Sequence, residues 1–100
     1  MPKKTAKKSS KPKFERPSLS LESFDAALES VRNRLVKALK KHGTKSEVSW
    51  HEILGDVTEE YTEFVGAVQE NNRQSDELHD IAIAAIWGIA SDKAGNVQKW

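Results

Sequence analysis

Five carboxylates stand close together in the second half of this 100-residue chain: Glu59, Glu60 and Glu63, then Glu77 and Asp80. On a helix, Glu59 and Glu63 lie at i, i+4, Glu60 and Glu63 at i, i+3, and Glu77 and Asp80 at i, i+3, so each set shares a face. An all-oxygen donor set of this kind suits a hard divalent cation, Mg²⁺ or Mn²⁺. Di-iron carboxylate bundles need a Glu-x-x-His on each of two helices. The only approach to that pattern is Asp76-x-x-His79, so iron does not fit. The chain has no cysteine, which removes disulfide and thiolate-metal chemistry.

The two acidic sets matter together only if their helices bring them level. At 1.5 Å per residue, Glu63 lies roughly 10 Å back from the end of its helix and Asp80 roughly 8 Å into the next. A short connection makes those helices antiparallel, and the carboxylates then face each other. On separate solvated faces, like charges cost only about 0.2–0.5 kcal/mol per pair. Facing at about 6 Å with an effective dielectric near 20, each pair costs roughly 3 kcal/mol. Such a set must either splay into water or hold a cation. Glu77, just after a helix start, also suits ordinary dipole stabilisation. Asp80, a turn deeper and directly before an apolar run, does not.

Three helices are expected to carry these groups. The first starts after Ser20, an N-cap, with Glu22 at the positive end of the dipole and Leu19 and Phe24 as a hydrophobic staple. Leu21, Phe24, Leu28, Val31, Leu35 and Ala38 follow at spacings of three and four. Lys40, Lys41 and His42 precede Gly43, a C-terminal stop. The second helix starts after Ser49, with Glu52 completing a capping box and Val48 and Ile53 a staple. Its expected buried stripe is Trp50, Leu54, Val57, Tyr61, Phe64 and Val68, and it frays near "ENNRQS". Ser75 is the expected cap of the third, which runs to about Lys93 and stops at Gly95. Beyond its first turn that helix is apolar on every side, through Ile81, Ile83, Ile86, Trp87 and Ile89. Such a helix must be buried all round. Three helices cannot easily enclose it, so a second subunit is expected. The fold class is therefore all-α: an antiparallel helical bundle completed by dimerisation, or a dimer of dimers.

Charge divides the chain into residues 1–17 and 18–100. The first stretch carries seven Lys/Arg against one acid, Glu15; the second carries nine Lys/Arg against fourteen Asp/Glu. "MPKKTAKKSSKPKFERP" buries too little to offset its ordering entropy and reads as a disordered basic tail. Its lysines could attract nucleic acid, but Phe14 is the only aromatic there to stack on bases, which favours a solubilising tail. No apolar run is long enough to span a membrane and no signal core follows the basic start, so a cytoplasmic protein with no membrane partner is expected.

Glu59-Glu60-x-x-Glu63, thirteen residues, then Glu77-x-x-Asp80 and an apolar helix resembles the MazG-like nucleoside triphosphate pyrophosphohydrolases, over about residues 47–92. The resemblance implies an all-α fold, at least a homodimer, and Mg²⁺-dependent cleavage of a nucleotide between its α- and β-phosphates. It also implies Glu60, Glu63, Glu77 and Asp80 as metal ligands, with Glu59 a further ligand or the group that orients the attacking water. Family members contact substrate through Lys and Asn on a further helix, for which "SDKAGNVQKW" offers Lys93, Asn96 and Lys99. Among other candidates, Trp50 could stack on a base, although its place on the apolar stripe favours a core role. Lys37, Lys40 and Lys41 could reach phosphates; solvated lysines near a helix end are the default. Glu52 reads as a cap, Asp56 as solvated, His79 as surface and Trp87 as core or interface. The competing class is an inactive helical adaptor that uses the tail to bind nucleic acid or a partner protein.

Overall fold

A computed structural model describes residues 14–99, which form three helices: α1 (Leu21–His42), α2 (Trp50–Glu70) and α3 (Gln74–Lys93). Among the described residues there is no strand, only an isolated bridge between Ser49 and Gln98. The protein is a small all-α bundle. Among the described residues no helix is long and apolar enough to cross a membrane. The expectation of a disordered tail falls almost wholly on residues outside those described.

The helix starts and stops follow local chemistry. Ser20 caps α1, its Oγ accepting from the Ser23 amide at 3.1 Å. Gly43 ends α1 with φ +86°, its N–H donating to the Leu39 carbonyl at 2.9 Å. Only glycine reaches that backbone conformation without steric cost. Ser49 caps α2 by accepting from the Glu52 amide at 3.1 Å. The Glu52 carboxylate reaches back to the Val48 N–H at 2.9 Å, one residue beyond the usual capping-box partner. Of the four residues expected as staples, Leu19, Phe24 and Val48 are exposed and Ile53 is buried.

The third helix starts earlier than expected. It begins at Gln74, and Ser75 lies inside it rather than at its cap. Arg73 takes the N-cap place in a left-handed conformation, φ +65°, with no side-chain cap. Asn71 ends α2 at φ +56°, also left-handed, and Asn72 donates back to the Ala67 carbonyl at 3.0 Å. Asparagine tolerates this region better than most residues. Two left-handed residues within three reverse the chain at once, and α3 starts before Ser75 is reached, so Ser75 is not its cap.

α1 packs on α3 but not on α2, and α2 packs along α3. Ser30 donates to His79 Nε2 at 2.7 Å, while His79 Nδ1 donates to the Ser75 carbonyl at 2.7 Å. Arg34 reaches the first turns of α3, and Trp87 lies near the end of α1. α1 and α3 therefore run parallel and α2 runs against both. A cleft opens between α1 and α2, floored by α3.

α2 does not bury the stripe its sequence suggests. Ile53 and Ala67 are buried, whereas Leu54 is 63% exposed, Tyr61 is 57% exposed, and Trp50 and Val68 are likewise open. The face turned to α3 lies beside the expected one, sharing with it the half-buried Val57 and Phe64. α3 is also only half-covered: Gly88 and Ser91 are its buried residues beyond the first turn, and Ile89 is exposed. One contact fixes how closely α2 and α3 approach. A Cβ added at Gly88 would meet Ile53 Cγ2 at 2.8 Å, and that methyl, on a branched carbon, cannot swing aside. Gly88→Ala gains about 1 kcal/mol of helix propensity against an overpacking cost of about 1–3 kcal/mol. A net loss of stability is expected in urea titration; a more stable Gly88→Ala would contradict this contact.

Candidate metal centre

Glu60 and Glu63 sit on the α2 face turned toward α3, and Glu77 and Asp80 on the α3 face turned back. The three-residue turn fixes their register, as the helix geometry anticipates. One carboxylate oxygen from each of the four lies within 4.8 Å of the others. Glu59 is exposed and lies outside this set. Its charge adds to the upward shift of Glu60.

The cluster carries unrelieved charge. Glu77 is only 5% exposed, and its Oε1 is buried with no hydrogen-bond partner. Burial raises its carboxyl above the usual range, Arg73 opposes that shift, and Asp80 and Glu63 reinforce it. Glu60 is raised too, first by burial and then by the charges of Glu63 and Asp80. Two arginines offset part of the repulsion. Arg73 pairs with Glu77 at 2.8 Å, one helical turn apart. Arg34, from α1, donates to Asp80 at 3.3 Å and to Asp76 at 2.9 Å. Arg34 is not legible as a partner from sequence alone, since it is 46 residues from Asp80, whereas Arg73 and Glu77 stand at i, i+4. A buried carboxylate oxygen without a donor is costly, and an all-oxygen set this tight is what a divalent cation needs. The four residues fit such an ion.

Glu60 and Asp80 also form part of the wall of a cavity of about 700 Å³ between α1 and α2. Its α1 side is basic, through Arg34, Lys37 and Lys41, and continues into Lys45 of the following segment. Its other side carries Glu52 and Asp56 of α2 and Glu47 of the loop, while Ile83, Ala84 and Trp87 form the floor. Lys37, one of the sequence candidates, thus lines this cavity. Trp50 and Lys93 do not line this cavity in a single chain, and Asn96 lines a smaller apolar one on the far side of Trp87. Trp87, expected as core or interface, borders both and is half-buried.

The residue that sequence reading passes over is Glu47. It is 7% exposed although it lies in a loop. The loop is tied to α3: Trp87 Nε1 donates to the Lys45 carbonyl at 2.8 Å, and the Glu47 amide donates to Ser91 Oγ at 3.0 Å. Ser91 donates in turn to the Trp87 carbonyl at 2.8 Å, and the Gln98 amide closes the loop onto the Val48 carbonyl at 2.7 Å. The Glu47 carboxyl is pushed up to about 7, by burial first and then by a hydrogen bond with Asp56 and its charge. Its Oε1 has no partner. No family model, no curated protein and no solved structure matches the chain.

Proposed function

We propose that this protein is a divalent-cation-dependent nucleotide pyrophosphohydrolase, which splits a nucleoside triphosphate or related nucleotide into a monophosphate and pyrophosphate. The observation that carries this reading is the four-carboxylate cluster, with its orphaned Glu77 oxygen, two of whose members, Glu60 and Asp80, line a cavity whose opposite side is basic. Glu60, Glu63, Glu77 and Asp80 would hold Mg²⁺, with Mn²⁺ as the alternative ion. Bound there, the cation supplies charge neutralisation for the phosphates and a more acidic water. Lys37, Lys41 and Lys45 face the cluster across the cavity and would take the phosphate oxygens that the metal does not. Arg34, already on Asp80, orients that carboxylate. The resemblance of the acidic motifs to the MazG-like enzymes agrees with this chemistry, and a noncanonical or surplus nucleotide is the substrate in view. The test is a panel of nucleoside triphosphates with Mg²⁺, in which pyrophosphate and monophosphate appear together. Release of phosphate and diphosphate instead, or no turnover on any member, would overturn the reading.

A second copy of the chain completes the bundle in this proposal. Leu54, Tyr61 and Val68 recur every seventh residue on the outer face of α2 and are all exposed. Leu21, Phe24 and Leu28 are exposed on the part of α1 that precedes its contacts with α3. Apolar ridges of this length on a small chain are interaction surfaces. Sedimentation at micromolar concentration should give a dimer or tetramer, and Leu54→Asp with Tyr61→Asp should yield a folded, smaller species. A wild-type monomer at that concentration would remove the second copy from the proposal.

A further inference from the structure

We infer that Ser91 and Trp87 of α3 are positioning residues for Lys45: by holding the loop between α1 and α2, they set that lysine at the cavity to take a phosphate oxygen. The inference rests on the nucleotide reading above and deepens its phosphate side. Lys37 and Lys41 are placed by the helix that carries them, but Lys45 is not. Residues 43–48 have no regular structure, and 43–46 are exposed. Lys45 and Ser46 line both the large cavity and the smaller apolar one, so little packs against this part of the loop. A binding side chain is only as well placed as the backbone beneath it, and here hydrogen bonds must do the placing.

α3 supplies those bonds. The Trp87 indole N–H donates to the Lys45 carbonyl at 2.8 Å and so anchors the backbone of the lysine itself. Two residues on, the Glu47 amide donates to Ser91 Oγ at 3.0 Å. Ser91 is 3% exposed, and its one hydroxyl proton goes to the Trp87 carbonyl at 2.8 Å. That leaves an oxygen lone pair for the Glu47 N–H. Removing the hydroxyl strands a buried amide, which the loop must shift to solvate. Ser91 lines the apolar cavity and not the large one, so it reaches a phosphate only through the loop. Trp87 lines both, but its N–H is already occupied by Lys45.

Calorimetric titration of the full chain with inorganic tripolyphosphate and Mg²⁺ tests this without a base and without turnover. Lys45→Met should weaken binding by about ten-fold, the loss of one charge-assisted contact. Ser91→Ala and Trp87→Phe, which remove one hydroxyl and one N–H, should each weaken it by about three-fold or more, with the Mg²⁺-dependent rise in melting temperature kept. The deciding readout is the double variant. In the Lys45→Met background, Ser91→Ala should change tripolyphosphate affinity by less than about two-fold, because it acts through that lysine. A merely structural role would weaken both backgrounds alike and would overturn the inference. So would unchanged affinity in either Ser91→Ala or Trp87→Phe, a parallel loss of the Mg²⁺ response, or absence of tripolyphosphate binding by the wild type. Should Ser91→Ala not fold, the same cycle runs with Trp87→Phe, which keeps an aromatic ring in place. Pyrophosphate release is measured separately on nucleoside triphosphates. Its absence with the coupling intact removes only the hydrolase reading, and an additive cycle with release intact removes only this inference.

Discussion

Glu63→Gln is expected to cut pyrophosphate release by about 100-fold or more and to remove most of the Mg²⁺-dependent rise in melting temperature. A cation that binds the folded chain alone, at 100 times its Kd, stabilises by about 2.7 kcal/mol. For a domain of this size that is a shift on the order of 10 °C. Losing one of four ligands removes most of that affinity and the chemistry that depends on it. Glu63 is the informative ligand to change. It is exposed and holds no ion pair, whereas Asp80 also anchors Arg34 and Glu77 pairs with Arg73. Without metal, Glu63→Gln should melt at the wild-type temperature or above it. One repelling charge is gone, and the new amide can donate toward Glu77, whose Oε1 lacks a partner. Metal-free stabilisation and metal-dependent loss in one variant distinguish a shared site from a solvated acidic face. Full retention of the Mg²⁺ response in Glu63→Gln would mean that these carboxylates do not act together.

A second large effect is expected from pH. The Glu47 carboxyl titrates near 7 in the folded chain against an ordinary value of 4.5. The folded state therefore holds this proton more tightly than the unfolded chain does. Its stabilisation is complete below about pH 4.5 and is lost as pH rises through about 7. A gap of that size corresponds to at most about 3 kcal/mol at 1.36 kcal/mol per unit, less whatever screening the exposed Asp56 receives from water. Glu60 and Glu77, also raised, slope the same way. In metal-free buffer the melting temperature should fall from pH 5 to pH 8, on the order of 10 °C. Glu47→Gln should flatten that fall, because an amide does not titrate. Added Mg²⁺ should oppose it at the high-pH end, where the cluster carboxylates are free to bind the ion. A melting temperature that rises from pH 5 to pH 8 without metal would contradict the burial of Glu47.

What the sequence makes legible here is what depends on neighbours within one hairpin. Ser20, Gly43 and Ser49 mark helix ends through bonds to residues three or four away, and they sit where the pattern puts them. The four carboxylates meet because two i, i+3 pairs flank a very short connection. Contacts between distant parts are not encoded so locally. Arg34 finds Asp80 only because α1 lies on α3. Glu47 is buried only because Ser91 and Trp87 capture its loop. The α2 stripe is the instructive miss. Trp50, Leu54, Tyr61 and Val68 form an apolar ridge by periodicity, and periodicity records that a face is apolar without saying which body covers it. The turn before α3 escapes for another reason: Ser75 is a good cap by type, but left-handed Asn71 and Arg73 reverse the chain before it is reached.

All four cluster carboxylates fall between Glu60 and Asp80, on one helical hairpin with a three-residue turn. Pairings so close in sequence close quickly, because little chain entropy is lost in making them. The ion-holding part of the molecule can thus assemble during folding before α1, with Arg34 and the lysines, arrives from more than forty residues away. Length, however, is held rigidly at the turn. Each residue added within Asn71–Arg73 would rotate α3 by about 100° relative to α2, carrying Glu77 and Asp80 off the face of Glu60 and Glu63. Side chains in that turn can vary under the constraint of two left-handed positions, but their number cannot, and this connection is where insertions in related sequences should be missing.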